Sequence, residues 1–336
     1  MSNLGNDKKY EFSFTKEMRT LFVDLSVIIV NWNSAALLMN CLASVEKWFN
    51  GFTYEVFVVD NCSKEEDITN LKTRIQPRFP RVKIFYNATN IGFGRANNQV
   101  LHLCTGKYTL FLNPDTCFIS DGMSKLLTIC AQDHTGLVSC KLLKSDHTVE
   151  LSCFHFPYFW RIVANSLLLG KIWPANKWRI FSYGIADQTK SLHPDWVLGA
   201  FMLLPTVVIK RVGGFDAAIF MYGEDMELCY QVRKLGLEVS YVSDFAVVHY
   251  GGCSWRQAWS DARKEAKVHQ AILYFYHKHR ARGLVSAVRA VFVLGALLRI
   301  IIYALVSLIP SGLKKSIDKI KTQWLILLTQ FRRCEF

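Results

Sequence analysis

Two adjacent carboxylates, Glu224 and Asp225, follow a glycine in the segment FMYGEDMELCYQ and precede apolar residues at helical spacing. Acids suit the first turn of a helix, because they offset the positive end of its dipole and accept its unpaired N–H groups. A carboxylate fixed at the start of a helix is also rigid enough to act as a general base. The segment by itself leaves both interpretations open, a structural helix start and a catalytic acid.

A second candidate for chemistry is Asn113-Pro114-Asp115, which follows the apolar segment YTLFL. A carboxylate in this place can hold Mg²⁺ or Mn²⁺ against a diphosphate, with few protein ligands and several waters. His249 ends the apolar segment FAVVH and is a candidate second ligand. A lone histidine is more often a hydrogen-bonded structural residue, and that alternative stays open here.

Polar residues also stand where other apolar segments end, at Asn31 and Asn33 and at Asp60 and Asn61. Open α/β sheets bind ligands in the crevice at the carboxyl ends of their strands. Asn and Asp are ordinary turn residues as well. With Asp115 after YTLFL, three apolar segments end in polar residues, and this repetition favours a ligand site.

The elements that must position these residues alternate along the chain. Apolar segments separated by helical patterns of roughly 10–15 residues predict βαβ units on a parallel sheet. The strands expected are LSVIIV, YEVFVVD, RVKIFYN and YTLFLN, followed later by VLGAFMLLP and by two short strands, LEVSYV and AVVHYGG. Residues 150–195 are rich in aromatic residues and have no regular pattern.

Two common nucleotide-binding classes are excluded by their motifs. The G-x-G-x-x-G fingerprint fails, because Asn97 occupies the third glycine position and the motif follows the third strand. No G-x-x-x-x-G-K-[ST] loop is present. A dehydrogenase or a P-loop enzyme is therefore not expected.

Charge and composition bound the remaining classes. The 336 residues are 51% hydrophobic, enough for one large domain or two smaller ones, with a net charge of +13. From Asp261 onward there are 14 Lys and Arg against 4 Asp and Glu, which leaves only +3 for the preceding 260 residues. Nucleic-acid enzymes more often spread basic residues over the main domain. The ten scattered cysteines and the absence of a secretory signal predict free thiols in a reducing compartment.

The basic C-terminal tail contains an apolar run at 284–309, long enough to span a bilayer. Arg289 and Arg299 interrupt the run, and basic residues flank both ends. Because Lys and Arg concentrate on the cytoplasmic side, this pattern favours an interfacial or re-entrant anchor over a single span. The segment IKTQWLILLTQFRR predicts an amphipathic surface helix. The alternative is a buried helical pair that closes a dimer or caps the core.

Taken in order, seven segments resemble glycosyltransferase family 2, and within it the bacterial rhamnosyltransferase branch, from about residue 25 to 255. They are VIIVNWNS, VFVVDNCS, NIGFGRANN, LFLNPDT, WVLGAFMLL, VGGFDAAIFMYGEDMELCYQVRKLG and VVHYGG. The resemblance implies an α/β GT-A fold, with a Rossmann-like mixed sheet flanked by helices. It also implies a nucleotide-diphosphate sugar donor, Mg²⁺ or Mn²⁺, and inversion at the anomeric carbon.

The resemblance also implies roles for individual residues. Asp225 matches the catalytic base, with Glu224 beside it, and Asp115 and His249 match metal-ligand positions. Many family members have Arg where Asn97 stands, so a charge contact to the donor is expected to be missing here. Many also have a first Asp where Asn113 stands, so Asp115 and His249 are expected to carry metal binding. The nucleotide-sugar site is expected at Asn31, Asn33, Asp60, Asn61, Gly92, Asn97 and Asp115, with Asp60 against the base, and the acceptor site at Trp196, Gly199 and Ala200.

The expected protein has three parts: an N-terminal arm (1–20), a GT-A domain (21–260) and a helical membrane-association tail (261–336). The expected reaction transfers rhamnose from dTDP-rhamnose to a polyprenyl-diphosphate-linked saccharide during cell-surface polysaccharide synthesis. The protein is expected at the cytoplasmic face of the bacterial inner membrane, peripheral or monotopic, without a nucleic-acid partner, and the tail helices are a candidate oligomer contact. The alternatives are transfer of a galactosyl or N-acetylhexosaminyl unit from a UDP-sugar, and a non-catalytic membrane-associated subunit.

Overall fold

The computed structural model of the chain describes residues 23–169, 183–185, 187–251, 261–308 and 313–331. The expected N-terminal arm, residues 1–20, lies outside the described residues. Eight cysteines fall in the described part and all carry free thiols, as predicted. Six of them are buried, which fits a packing role.

The predicted βαβ units form one half of an eight-stranded sheet. Its parallel strands are β1 (Leu25–Asn31), β2 (Tyr54–Asp60), β3 (Val82–Tyr86) and β4 (Tyr108–Leu112). Strand β1 lies between β2 and β4, and its last residue, Asn31, is level with Asp60 of β2. The carboxyl ends of these strands therefore meet at one edge of the sheet.

The other half makes the sheet mixed rather than wholly parallel. It contains β5 (Thr116–Phe118), β6 (Thr135–Leu143), β9 (Phe201–Pro205) and β10 (Glu238–His249), in the overall order β3-β2-β1-β4-β9-β6-β10-β5. Strand β9 runs antiparallel between β4 and β6. Strands β7 (Cys153–Phe154) and β8 (Trp196–Val197) form a separate antiparallel pair. The mixed sheet agrees with the GT-A expectation and corrects the simpler parallel one.

Two strand boundaries differ from the sequence prediction. The segment VLGAFMLLP is divided between β8 and β9 by a turn at Gly199 and Ala200. The two short strands expected at LEVSYV and AVVHYGG are one strand, β10, with a register shift between Val242 and Ala246. A bulge lets a strand continue past residues that read as a break, here Ser243 and Asp244.

Seven helices surround the sheet in the part of the chain that is described before residue 261. They are α1 (Ala35–Trp48), α2 (Glu65–Asn70), α3 (Phe93–Leu101), α4 (Met123–Cys130), α5 (Phe159–Ser166), α6 (Thr206–Val212) and α7 (Glu224–Lys234). Helix α2 continues through a π-helical turn (Leu71–Ile75) and a last turn (Gln76–Arg78). Helix α5 lies in the 150–195 segment, where no regular pattern was readable.

The core occupies both faces of the sheet, because alternate residues of a strand point to opposite sides. On one face, Val27 and Ile29 pack with Leu38 of α1. On the other face, Ile28 and Val30 belong to a second cluster that includes apolar residues of α3 and α7. Both clusters are fully enclosed, so the sheet forms a rigid platform for side chains at its edge.

Three helices make up the described part of the tail: α8 (Asp261–His279), α9 (Arg282–Ser307) and α10 (Leu313–Phe331). Helix α8 packs on α7 in a cluster that contains Met226, Ile272 and Phe275. Helix α9 contacts α5, α8 and α10. Arg299 of α9 donates to the carbonyl of Asn165 at 2.6 Å and to that of Ser166, at the C-terminal end of α5. This contact gives a polar group inside an apolar helix its hydrogen-bond partners.

Candidate active site

One cavity of about 670 Å³ lies at the edge of the sheet where the parallel strands end. Its wall contains Asp115 and His249 and also Glu224 and Asp225. The residues proposed for metal binding and those proposed for catalysis are thus brought to the same enclosed space. Concave, mostly apolar sites with a few convergent polar groups are typical of ligand-binding sites.

The acid pair stands at the first turn of α7, which begins at Glu224 after Gly223. Gly223 has a φ of 97°, and a Cβ placed there would lie 2.6 Å from the Cβ of Ala271. Only glycine fits this turn. Asp225 accepts the N–H of Gly199 at 3.1 Å on one oxygen and the N–H of Met226 at 2.8 Å on the other. The carboxylate is therefore held in one orientation.

The surroundings raise the pKa of both acids. For Glu224, burial is the main cause and the negative charge of Asp225 adds to it. For Asp225, burial raises the pKa, while hydrogen bonds from the backbone N–H groups of Met226 and Gly199 lower it in part. Among the described residues, no partner reaches the Oε2 atom of Glu224, which is 8% exposed. Asp225 is thus the acid that ionises first, and Glu224 is the one that keeps its proton.

The candidate metal site is built around His249, at the end of β10. Its Nε2 lies 3.3 Å from Oδ1 of Asp115 and 3.4 Å from Nδ2 of Asn113, and its Nδ1 lies 2.7 Å from Oε2 of Glu150. Both His249 and Asp115 are buried. Burial would lower the pKa of His249, but the hydrogen bonds to Asp115 and Glu150 outweigh it and raise the pKa to about 9.

These residues fit a divalent cation. A carboxylate oxygen, an imidazole nitrogen and a nearby amide are donors that suit Mn²⁺. A metal-ligating histidine normally donates its other ring N–H to a carboxylate, and Glu150 stands in that place. Among the described residues, no group of three His, Cys, Asp or Glu side chains surrounds one point. A cation held here would therefore take its remaining ligands from water or from a bound substrate, as is usual for such cations.

Two of the seven residues predicted for the nucleotide-sugar site, Asn61 and Asp115, line the cavity. Asn31 and Asp60 are fully buried behind its wall, where Asn31 donates to Asp60 at 2.8 Å. Asp60 also accepts the hydroxyl of Ser63 at 2.6 Å. Since these bonds use the Asp60 carboxylate, the structure places Asp60 as a support of the first loop rather than in the cavity wall.

Three further predicted residues also lie behind the wall, Asn97 in helix α3 and the other two in loops. Asn33 accepts the N–H of Lys64 at 2.8 Å, and buried Asn97 donates to Phe93 O at 3.0 Å. Gly92 has a φ of 89°, and a Cβ there would lie 2.5 Å from Phe220 O. The side chains that these loops bring to the cavity are Trp32, Asn90 and Phe93.

The three residues predicted for the acceptor site, Trp196, Gly199 and Ala200, all line the cavity. Trp196 stacks on Phe154, with ring centroids 4.3 Å apart and an interplanar angle of 16°. Its Nε1 donates to His155 O at 3.1 Å. The stacked rings form a flat apolar wall, the kind of surface on which sugar rings pack.

Two features of the site were missed by sequence reasoning. Glu150 holds the ring of His249 from 99 positions away, and its own segment contains no motif. The first tail helix, α8, also forms part of the wall, through Lys264, Val268, Ala271 and Ile272. Positions 264, 268 and 272 recur at helical spacing, but only the fold shows that this stripe faces the active site.

Comparisons with known proteins show what the chain is similar to. Residues 26–158 match the family model described as "Glycosyl transferase family 2". The rhamnosyltransferase WbbL of Escherichia coli is 29% identical over 51% of this chain and 65% of its own length. The N-acetylglucosaminyl-diphospho-decaprenol L-rhamnosyltransferase of Mycobacterium tuberculosis is 24% identical over 61% of this chain and 70% of its own.

Solved structures support the fold. The mannosyltransferase PcManGT from Pyrobaculum calidifontis, in complex with GDP-Man and Mn²⁺, aligns with a TM-score of 0.57, at 15% identity over 92% of this chain and 86% of that one. GalNAc-T7 with UDP, GalNAc and Mn²⁺ aligns with a TM-score of 0.54, at 16% identity over 75% and 48%. The family match gives the chain a glycosyltransferase family 2 domain over residues 26–158, and the curated relatives show that it is similar to bacterial rhamnosyltransferases.

Proposed function

We propose that the protein is an inverting, metal-dependent glycosyltransferase that moves rhamnose from dTDP-rhamnose to a lipid-linked saccharide in cell-surface polysaccharide synthesis. The observation that carries this proposal is the shared cavity, which has Asp225 in one part of its wall and Asp115 with His249 in another. A base and a diphosphate-binding group that face one space are what a direct displacement at a sugar carbon requires.

The names of the relatives motivate the choice of substrates. Two of them are described as rhamnosyltransferases, and the mycobacterial one is described as acting on N-acetylglucosaminyl-diphospho-decaprenol. A lipid-linked acceptor also fits the tail of this chain, since α9 is long and apolar enough to cross a membrane. We place the protein at the cytoplasmic face of the bacterial inner membrane, with the tail helices as its membrane contact and as a candidate oligomer contact.

The catalytic base in this proposal is Asp225. The acceptor hydroxyl attacks the anomeric carbon as the nucleoside diphosphate leaves, and the hydroxyl proton passes to the carboxylate. The N–H groups of Gly199 and Met226 fix the orientation of that carboxylate before substrate arrives. A positioned general base contributes roughly 10²–10⁴-fold to rate. The reaction needs no covalent sugar–enzyme intermediate.

Glu224 is assigned a different role. Its buried carboxyl keeps the proton at a pH at which Asp225 is ionised, because burial and the neighbouring charge both disfavour a second anion. A protonated carboxyl can donate a hydrogen bond to a sugar oxygen, whereas an ionised one can only accept. Glu224 therefore orients the acceptor while Asp225 takes its proton.

Asp115 and His249 would hold the cation, with Glu150 fixing the ring of His249. When bound, a divalent cation supplies charge neutralisation to the departing diphosphate. The apolar wall around Trp196 and Phe154 limits water near the reacting carbon, which favours transfer over hydrolysis of the donor.

Isothermal titration of the purified protein tests donor and cation together. dTDP-rhamnose should bind more tightly than UDP-galactose, UDP-N-acetylglucosamine or GDP-mannose, and Mn²⁺ should strengthen its binding. Glu150→Gln should weaken Mn²⁺ binding by about 10–100-fold, since it loosens the ring that presents Nε2. The exposed Glu46→Gln is the matched control. If a UDP-sugar binds more tightly than dTDP-rhamnose, the assigned donor is wrong and the UDP-sugar takes its place. If no nucleotide sugar binds, the whole proposal is overturned.

A further inference from the structure

A second cavity, of about 270 Å³, adjoins the active-site cavity. Four residues line both spaces: Tyr183, Lys264, Val268 and Ile272. Three of them form the stripe on α8 that faces the active site, so this helix is the partition between the two cavities. The second cavity lies on the side of the partition toward α9 and α10.

The polar lining of the second cavity differs in charge from that of the first. Among their described residues, the active-site cavity has four carboxylates in its wall and the second cavity has one, Glu265. The second cavity shares Lys264 with the first and adds Arg299, together with His269, whose pKa is lowered by burial. Arg299 is held in place by its bonds to the last carbonyls of α5. Lysine and arginine side chains of this kind recognise phosphate groups.

The apolar lining of the second cavity comes from the membrane-association helices. Phe292 and Ala296 belong to α9 and Ile326 to α10, and all three are buried. On the outer side of α9, Leu294, Ile301 and Leu305 are 56–62% exposed. Helix α9 therefore lines the cavity with apolar residues on its inner side and has an exposed apolar surface on its outer side.

We infer that the second cavity binds the diphosphate and the first isoprenoid units of a prenyl-diphosphate-linked acceptor, between Lys264 and Arg299 on one side and Phe292, Ala296 and Ile326 on the other. The inference deepens the proposed function and rests on it for the sugar that the acceptor carries. The saccharide then extends past α8 into the active-site cavity, toward Asp225. The tail is accordingly part of the acceptor site as well as an anchor.

The test measures binding of geranylgeranyl diphosphate to the full chain in neutral detergent, without any sugar nucleotide. Geranylgeraniol and inorganic diphosphate are the two half-ligands. Because the site has both a cationic and an apolar part, the complete probe should bind at least about tenfold more tightly than either half. Lys264→Gln should weaken it by about tenfold, because it removes a charged hydrogen-bond donor to the diphosphate. The cavity-filling Ala296→Leu should also weaken it by about tenfold, because the larger side chain takes the space of the isoprenoid chain.

Two matched controls lie on the same helices but outside both cavities. Arg263→Gln removes an exposed cation from α8, and Ala304→Leu enlarges an exposed position on α9. Both should bind the probe within twofold of the unaltered protein. Thermal melting of all four variants confirms that they fold.

The outcomes separate this inference from the proposed function. Equal binding by the two cavity variants and the unaltered protein would overturn the inference, even if sugar transfer is observed. Displacement of the probe by phosphatidylglycerol in excess would also overturn it, because the cations would then be a general anionic-lipid surface. If probe binding depends on Lys264 and Ala296 but the protein transfers no sugar, the inferred site stands and the proposed transferase reaction is overturned.

Discussion

At the scale of single residues, the division of labour between Glu224 and Asp225 follows from their hydrogen bonds. Asp225 accepts two backbone N–H groups, which stabilise its charged form, whereas Oε2 of Glu224 has no partner among the described residues. In a buried site, ionising the second of two adjacent carboxylates has a high free-energy cost. Their different surroundings therefore decide which one accepts a proton and which one donates a hydrogen bond.

Asp225→Asn should fold normally and lose transfer. The amide keeps the shape and one oxygen for the N–H donors, but it cannot take a proton. We expect kcat to fall by roughly 10²–10⁴-fold with an unchanged melting temperature. Asp146→Asn, at an exposed loop position, is the matched control. Full turnover by the Asp225 variant, measured by release of the nucleoside diphosphate, would remove the base assignment.

Glu224 should make the fold less stable as pH rises. Below its ordinary pKa, near ~4.3, the carboxyl is protonated in both the folded and the unfolded chain. Above that pH the unfolded chain loses the proton while the folded chain keeps it, so the free energy of unfolding declines until the raised folded pKa is reached. The slope for one proton is at most about 1.4 kcal/mol per pH unit.

Glu224→Gln removes this slope, because the amide carries no titrating proton. Urea unfolding at pH 5 and pH 7.5 should therefore show the variant gaining stability relative to the unaltered protein as pH rises. Exposed Glu46→Gln should show no such gain. Parallel pH profiles for the two variants would mean that Glu224 is ionised in the folded protein.

Site residues that stand inside a recognisable motif could be predicted from the sequence. Asp115, Asp225 and Gly199 stand in segments typical of the family, and the structure brings all three to one cavity. The sequence could not predict Glu150, whose only signal is a contact with His249 across the fold. The contact of Asp60 with the ligand stays a prediction, because the structure shows this side chain buried and bonded to Asn31 behind the cavity wall.

At the scale of elements, the contact between α7 and α8 joins the catalytic helix to the tail. Glu227 on α7 is 2% exposed and lies 2.7 Å from Nζ of Lys278 and 2.8 Å from Nε2 of His279. Lys278 also bonds to Asp216 at 2.7 Å. Since Glu227 is two residues from Asp225, this ion cluster fixes the tail against the helix that carries the base.

Glu227→Ala should separate the two helices, because it leaves Lys278 and His279 of α8 beside a buried gap. We expect a loss of about 3 kcal/mol in the free energy of unfolding, at the lower end for a broken buried pair, since Lys278 keeps Asp216. Glu238→Ala removes a half-exposed carboxylate beside His193 and should cost less than about 1 kcal/mol. Similar losses of unfolding free energy in both variants would show that the ion cluster does not specifically hold α8 against α7.

Elements with a clear period were predictable, and their partners were not. The first four strands lie at the apolar segments that predicted them, and α7 begins at the acid pair, as its helical pattern predicted. The sequence predicts two strands in place of β10, because Ser243 and Asp244 resemble a turn. In the structure, β10 pairs with β6 on both sides of these two residues, so it is one strand. The part of α8 in the active-site wall was unreadable, since a helical stripe does not reveal what it packs against.

At the scale of the whole molecule, charge and apolar surface are concentrated in the tail. Most of the net charge of +13 comes after residue 260. Helix α9 is the one helix of the described part long and apolar enough to cross a membrane, and only 17% of its most apolar stretch is buried. Arg299, which looked costly in a bilayer, is directed inward to α5. These features favour a helix that lies against the membrane by its outer face.

The final prediction concerns that outer face. Replacing Leu294, Ile301 and Leu305 together with Gln should release the protein from vesicles of phosphatidylglycerol and phosphatidylcholine, because each buried apolar side chain contributes roughly 1.5–3 kcal/mol. We expect at least about a 100-fold loss in partitioning, measured by flotation, with high salt weakening what remains. Val207→Gln, an exposed position on the catalytic body, should float as before. Retention of the triple variant through a carbonate wash would instead show that α9 spans the bilayer.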